Sequence, residues 1–292
     1  MKALVFPGQG SQKLNMGKEL IEENPEYEKY LNIANEILGY DLKSIIFGDD
    51  LETLTLSENA QPAILAVSYM KYKKYMKENN DEISLLAGHS LGEWTALAVA
   101  EVISYEEALK AVHIRGKYMS EACKPGEGTM AAVLGLDADS IRSALENLPN
   151  VVVANHNSLN QIVISGKTSE IEQSIQLLKD KGAKRVIPLN VSGPFHSPLI
   201  QNAKIRMREY LENVEFSQPK IPIIQNYTAK VETNPREIKE NIIQQITSSV
   251  RWVETIELMD RMNIKTIVEI GPTKVLTKLN KSIIKDLELL SV

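Results

Sequence analysis

The chain is poor in cysteine and histidine and has no long hydrophobic run, and each scarcity excludes something. A single cysteine, Cys123, leaves no partner for an intramolecular disulfide, which fits a reducing compartment. It stands between Ala122 and Lys124-Pro125-Gly126 at an expected helix end, so it reads as a packing residue rather than a nucleophile. No stretch offers the ~18 uninterrupted apolar residues of a membrane span. The run Ala3 to Phe6 before Pro7 is too short for a signal peptide, and a cytoplasmic protein with no membrane contact is expected. The net charge of −5 gives no bulk attraction for nucleic acid or anionic lipid. No cluster of His, Cys and Asp offers a metal site. Glycines stand at positions 8 and 10, but no Gly-Lys-Ser/Thr follows, which excludes a phosphate loop.

What is present is an ordinary globular composition, 292 residues with 43% hydrophobic and 24% charged, enough for one large core or two domains. Its most informative stretch is Gly88-His89-Ser90-Leu91-Gly92, a G-x-S-x-G nucleophile elbow. Ile83 to Ala87 before it is apolar and strand-like; Glu93 to Ala100 after it is rich in helix formers. A serine on such a turn projects its hydroxyl from the sheet edge, and the N–H of Leu91 supplies half of an oxyanion hole. The plain alternative is a tight turn that happens to contain serine.

Lys2 to Phe6 reads as a buried strand ending in the loop Pro7-Gly8-Gln9-Gly10-Ser11-Gln12, whose backbone N–H groups are expected to face the serine. Residues 17–39 read as one helix. Asn59-Ala60-Gln61-Pro62 is expected to open another through Met76, with Pro62 in its first turn. Ser104-Tyr105-Glu106-Glu107 has capping-box spacing and starts a helix carrying His113 and Arg115. After the linker 124–128 the predicted order is β-α-β-β-α-β, a ferredoxin-like signature. The expected organisation is therefore α/β, a hydrolase-like core with a parallel sheet over 1–125 and 193–292, carrying a ferredoxin-like α+β insert over 126–192. Beyond the insert, Ile221 to Asn226 reads as an edge strand or a strand start because of Pro222, and the last helix is expected over Val275 to Asn280.

Serine needs a base, and only four histidines are available. His89 adjoins Ser90 and should point elsewhere. His113 lies mid-helix and His156 in or beside a strand, so both read as structural. His196 lies in the Pro- and Gly-rich loop Ser192 to Pro198 at the return from the insert, where a rigid scaffold carries catalytic groups. No acidic third member announces itself, and a dyad oriented by a backbone carbonyl is expected. Arg115 either snorkels to the surface or faces the cleft, where its fork would bind a carboxylate.

With these residues in hand, the chain resembles the malonyl-CoA:acyl carrier protein transacylases over essentially its whole length. The resemblance runs through Phe6 to Gln12, Gln61-Pro62-Ala63, Gly88 to Glu93, Arg115-Gly116, Asn157-Ser158, Gly193 to Ser197 and Glu269 to Pro272. It implies Ser90 as nucleophile, His196 as base, and the backbone N–H groups of Gln9 and Leu91 as oxyanion hole. It also implies Arg115 as the grip on a malonyl carboxylate and the Gln245 backbone carbonyl as the group orienting the histidine. Asn157 and Gln161 match polar positions near the cleft, although Leu159-Asn160 replaces the Pro-Gly turn frequent in the family. The resemblance implies ping-pong transfer of malonyl from malonyl-CoA to the phosphopantetheine thiol of acyl carrier protein, for fatty acid elongation, by a monomer with no metal or prosthetic group. A serine esterase or thioesterase, an acyltransferase with another acyl-CoA preference and a non-catalytic binding module are the rival classes. Lys204 and Arg208 on one helix face, with Lys181, Lys184 and Arg185, form the candidate landing patch for the acidic carrier.

Overall fold

Apolar runs in Lys2–Phe6 (β1) and Ile83–Gly88 (β2) suit strands buried on both faces, as in a parallel sheet. Side-chain alternation divides them between two cores: Leu4, Phe6 and Leu86 join one, while Ala3, Val5, Leu85 and Ala87 join the other. The computed structural model describes residues 1–292. Four strands, Gly128–Leu134 (β3), Val151–Ser158 (β4), Gln161–Lys167 (β5) and Arg185–Pro188 (β6), form a separate antiparallel sheet in the order β4-β5-β3-β6. The helices Ala138–Ala144 and Thr168–Asp180 pack on it around a core that includes Val133, Ile141, Ile164 and Leu178. This is the ferredoxin-like order. The remaining strands, Ile223–Gln225 (β7), Lys230–Glu232 (β8), Thr266–Glu269 (β9) and Glu288–Ser291 (β10), complete a six-stranded sheet ordered β10-β9-β1-β2-β7-β8, parallel except for the β7–β8 pair.

The register of β1 on β2 sets the position of the site. Phe6 pairs with Gly88, so both strands end together, and the loop from Pro7 begins beside the elbow. The His89 N–H donates to the Phe6 carbonyl at 2.9 Å and fixes that juxtaposition. The two sheets are stitched near the same edge, where Val250 N–H donates to the Ala154 carbonyl at 2.8 Å and His156 N–H to the Val250 carbonyl at 2.9 Å.

Several expectations are corrected. The single helix over 17–39 is broken into Lys18–Glu23, a 3₁₀ turn Pro25–Tyr27 and Glu28–Leu38, because Pro25 has no N–H to continue the first segment. Strands β8 and β10 carry Lys230, Glu232 and Glu288 and are half-exposed, with no buried residue, so no buried apolar run announces them. Because β8 lies outside β7, the latter is not an edge. Pro222 precedes it and contributes only its carbonyl, which accepts from Leu86 N–H at 3.0 Å. The helix expected from Asn59 spans Ser57–Glu78, which puts Pro62 inside it. The carbonyl that Pro62 leaves without its helical donor, that of Glu58, accepts instead from His113 Nδ1 at 2.9 Å and from the Tyr40 hydroxyl at 3.4 Å. Those two side chains replace the missing bond.

Candidate active site

Ser90 sits between β2 and the helix Leu91–Val99 with φ 51° and ψ −107°, a backbone conformation that a side chain rarely adopts. The turn is this tight because Gly88 and Gly92 touch: a Cβ on Gly88 would lie 1.9 Å from the Gly92 carbonyl carbon, and one on Gly92 would lie 1.9 Å from the Phe6 carbonyl oxygen. Only glycine fits either place.

His196 also has positive φ, at 57°, and is 4% exposed. Its Nδ1 lies 2.9 Å from the Gln245 carbonyl oxygen, which requires the proton on that nitrogen. Nε2 is then the acceptor, and the Ser90 hydroxyl lies 2.8 Å from it. Burial, then the nearby Arg115 charge and His89, push the His196 pKa down to about 3, so the ring is neutral near pH 7. No carboxylate touches it.

Arg115, on the helix Tyr105–Glu121, is 1% exposed and does not snorkel. Nη1 donates to Gln61 Oε1 at 2.8 Å, and Nη2 donates to Ser90 Oγ at 3.0 Å and to Gln245 Oε1 at 2.9 Å. Its Nε has no partner. Burial lowers its pKa to about 10, which leaves it a cation at neutral pH.

The backbone N–H groups of Gln9 and Leu91 donate to no protein acceptor. Leu91 opens its helix, where the first N–H groups have no intrahelical acceptor and the dipole favours an anion. Gln9 is anchored by its side chain, whose Nε2 donates to Ser57 Oγ at 3.1 Å. His89 turns away from Ser90: its Nε2 lies 2.7 Å from Asn157 Oδ1, and its ring packs edge-on against Trp252. Asn157 Nδ2 in turn donates to Gln161 Oε1 at 3.2 Å.

These groups surround a cavity of about 310 Å³, near the lower end of the ~300–1,000 Å³ usual for small-molecule sites. Ser90, Arg115, His196, Gln9, His89 and Asn157 line it, and Met130 and Val163 of the small sheet form an apolar side. Gln161 does not line it. It follows the turn 159–160 and meets the site only through Asn157, so the cleft position expected for it is a supporting one. Larger hollows of about 660 and 720 Å³ lie elsewhere, and neither is lined by a histidine.

The other two histidines do not line the cavity. His113 holds the Glu58 carbonyl, and His156 Nδ1 lies 3.3 Å from Glu254 Oε2. The basic patch is also reduced. Arg208 forks onto Glu240 at 2.6 and 2.7 Å, and Lys204 is held by Gln244, so Arg208 offers no free cation.

Sequence reasoning gave no role to Gln61, Glu93 or Asn226, all of which are buried. The signal for Glu93 was available: it is the one charged residue in an otherwise apolar helix. No local pattern marks Asn226.

A family model described as "Acyl transferase domain" matches residues 3–289. The malonyl CoA-acyl carrier protein transacylase of Bacillus subtilis is 42% identical, over 99% of this chain and 92% of its own length. The crystal structure of an acyl carrier protein S-malonyltransferase from Vibrio cholerae superposes with a TM-score of 0.97 at 39% identity, covering 100% of this chain and 96% of that one. A malonyl-transacylase solved in complex with its type II PKS acyl-carrier protein also superposes with a TM-score of 0.97, at 37% identity over 100% of this chain and 95% of that one.

Proposed function

Since the chain belongs to the acyl transferase family, we propose that it transfers a malonyl group from malonyl-CoA to the phosphopantetheine thiol of acyl carrier protein through a malonyl-serine ester. The observation that carries this reading is the buried guanidinium of Arg115, 3.0 Å from the Ser90 hydroxyl. A hydrolase acting on uncharged esters has no use for a cation there. A malonyl thioester carries its free carboxylate two carbons from the carbonyl under attack, and a planar fork beside the nucleophile suits it.

Catalysis follows from the hydrogen bonds already described. Neutral His196 takes the Ser90 proton at Nε2 as Oγ attacks the thioester carbonyl. The Gln245 carbonyl, held by Nδ1–H, stabilises the imidazolium that forms. Negative charge on the tetrahedral oxygen meets the free N–H groups of Gln9 and Leu91. The imidazolium returns its proton to the departing CoA sulfur, and malonyl remains on Ser90. The carrier thiol then enters, His196 takes its proton, and the same steps run in reverse to give malonyl-carrier and free Ser90. No group outside the protein and its two substrates takes part in this scheme, and one chain supplies every residue it names.

Intact-mass measurement tests the proposal. After incubation with malonyl-CoA the wild-type protein should gain one malonyl group on Ser90, Ser90→Ala should gain none, and added carrier protein should remove the label onto its own thiol. A malonyl group mapped to Ser11, Ser197 or Cys123 would refute the nucleophile. Free malonate released equally fast with and without carrier would make the protein a thioesterase.

A further inference from the structure

Glu93 lies three residues after Ser90 and is fully buried. Its Oε1 accepts from Gln225 Nε2 at 3.0 Å, and its Oε2 accepts from the Asn226 N–H and from Gln245 Nε2, both at 2.9 Å. All three partners donate and none accepts, an arrangement that fits a carboxylate and not a carboxylic acid or an amide. Burial pushes its pKa up to about 7, against the pull of those donors and of Arg115.

Two of the donors lead straight to the reacting groups. Asn226 Oδ1 accepts the Ser90 N–H at 2.7 Å, and its Nδ2 donates to the Gly88 carbonyl at 2.7 Å, so one side chain clamps both sides of the elbow. Gln245 offers its backbone carbonyl to His196 and its Oε1 to Arg115, and its Nε2 also lies 3.0 Å from the Ser90 carbonyl oxygen. The Gln245 amide thus stands between guanidinium and carboxylate, oxygen toward the cation and nitrogen toward the anion. Neither a carboxylate nor an ammonium at that place has both a donor and an acceptor to offer. The relay also keeps Arg115 attracted to Glu93 without a direct ion pair between them.

We infer that Glu93 is the positioning residue of this site: its carboxylate holds Asn226 and Gln245 in place, and through them the Ser90 elbow, the His196 ring and the Arg115 fork. It touches neither Ser90 Oγ nor His196, so it is no third member of a triad. The inference rests on the acyl-transfer reading of the same site.

Glu93→Gln tests it, because the variant keeps the volume, removes the charge and turns a donor toward a donor. Single-turnover acylation of Ser90 is measured with two reagents, malonyl-CoA and the neutral ester p-nitrophenyl acetate. The maximal rate constant should fall roughly 10- to 100-fold with both, as a misplacement of about 1 Å would produce. The labelled fraction should stay complete, and the half-saturating malonyl-CoA concentration should not rise, because Arg115 loses a competing anion. Glu93→Asp, which keeps the charge, should recover part of the rate. A wild-type rate constant in Glu93→Gln overturns the inference, as does a loss of labelled fraction with no change in rate constant. Should Glu93→Gln not fold, Asn226→Ala breaks the link to the Ser90 amide and is read in the same way: a slower rate at full labelling supports the inference, and an unchanged rate overturns it. If wild-type protein takes no malonyl at all, the acyl-transfer reading fails, while the ester rates still decide the role of Glu93.

Discussion

Replacing Arg115 by alanine should weaken malonyl transfer while leaving the transfer of uncharged acyl groups as good or better. In the protein as it stands, the guanidinium is 1% exposed and its Nη atoms contact Gln61, Gln245 and Ser90. Removing one partner of a buried, hydrogen-bonded charge pair costs about 2–5 kcal/mol. At ~1.4 kcal/mol per tenfold, malonyl transfer should slow by roughly 30- to 4,000-fold. Acetyl has no carboxylate to lose. Its transfer should hold or rise, because Arg115 is one of the groups that depress the basicity of His196, and removing the cation lets that basicity climb toward the ordinary range. The fold will also suffer, since Gln61 Oε1 and Gln245 Oε1 lose a donor at about 1–3 kcal/mol each. Stability and selectivity separate in one assay: acyl-serine formation from malonyl-CoA and from acetyl-CoA, measured on the same preparation and expressed as a ratio. An equal loss with both donors would refute the reasoning and leave Arg115 a structural residue.

Three further outcomes are expected. His196→Ala should slow both half-reactions by about 10²–10⁴-fold, and a larger loss in folded His113→Ala or His156→Ala would refute it as the base. Because burial, Arg115 and His89 all hold His196 neutral, lowering pH from 7 to 5 should not disable the base. Any loss in that interval should come from Glu93, whose carboxyl faces Arg115, Gln225, Asn226 and Gln245 and is pushed up to about 7. Acylation by wild-type protein should therefore fall toward the Glu93→Gln rate as pH drops, while that variant stays flat; an inflection near 6.5 surviving in Glu93→Gln would show His196 titrating normally. Gly92→Ala sets a methyl 1.9 Å from the Phe6 carbonyl oxygen and should destabilise by at least about 1–3 kcal/mol and abolish labelling, so an unchanged melting temperature with full labelling would refute the elbow geometry.

Legibility in the sequence followed the range of the interactions. The elbow and its strand-helix context occupy eighteen consecutive residues, 83–100, and are readable because each requirement there is local. The ferredoxin-like order was readable for the same reason: β3, β4 and β5 each carry a local apolar run, although β6 is short and mostly exposed. Asn226 and Gln245 were not readable as a network, since they reach Ser90 across 136 and 155 residues of chain. Gln245 carried a role only through resemblance, and only for its backbone. Glu93 was visible as an isolated charge in an apolar helix, but a lone charge does not say which donors surround it. Strands β8 and β10 escaped because short, charged, half-exposed segments take their conformation from the neighbours they pair with.

The proline at position 62 has a consequence beyond its own helix. His113, which repairs the gap it leaves at Glu58, belongs to the same helix as Arg115, and Gly116 lies so close to the Ser57 carbonyl that a Cβ there would stand 2.4 Å from the oxygen. Gln61, next to the proline, accepts from Arg115 Nη1. Three pegs, at 113, 115 and 116, thus key one helix to the other, and the guanidinium inherits its address from that keying. The alignment of these two rods thus sets where the guanidinium stands in the cavity, and residues 57, 58, 113 and 116, none of which lines that cavity, hold the alignment.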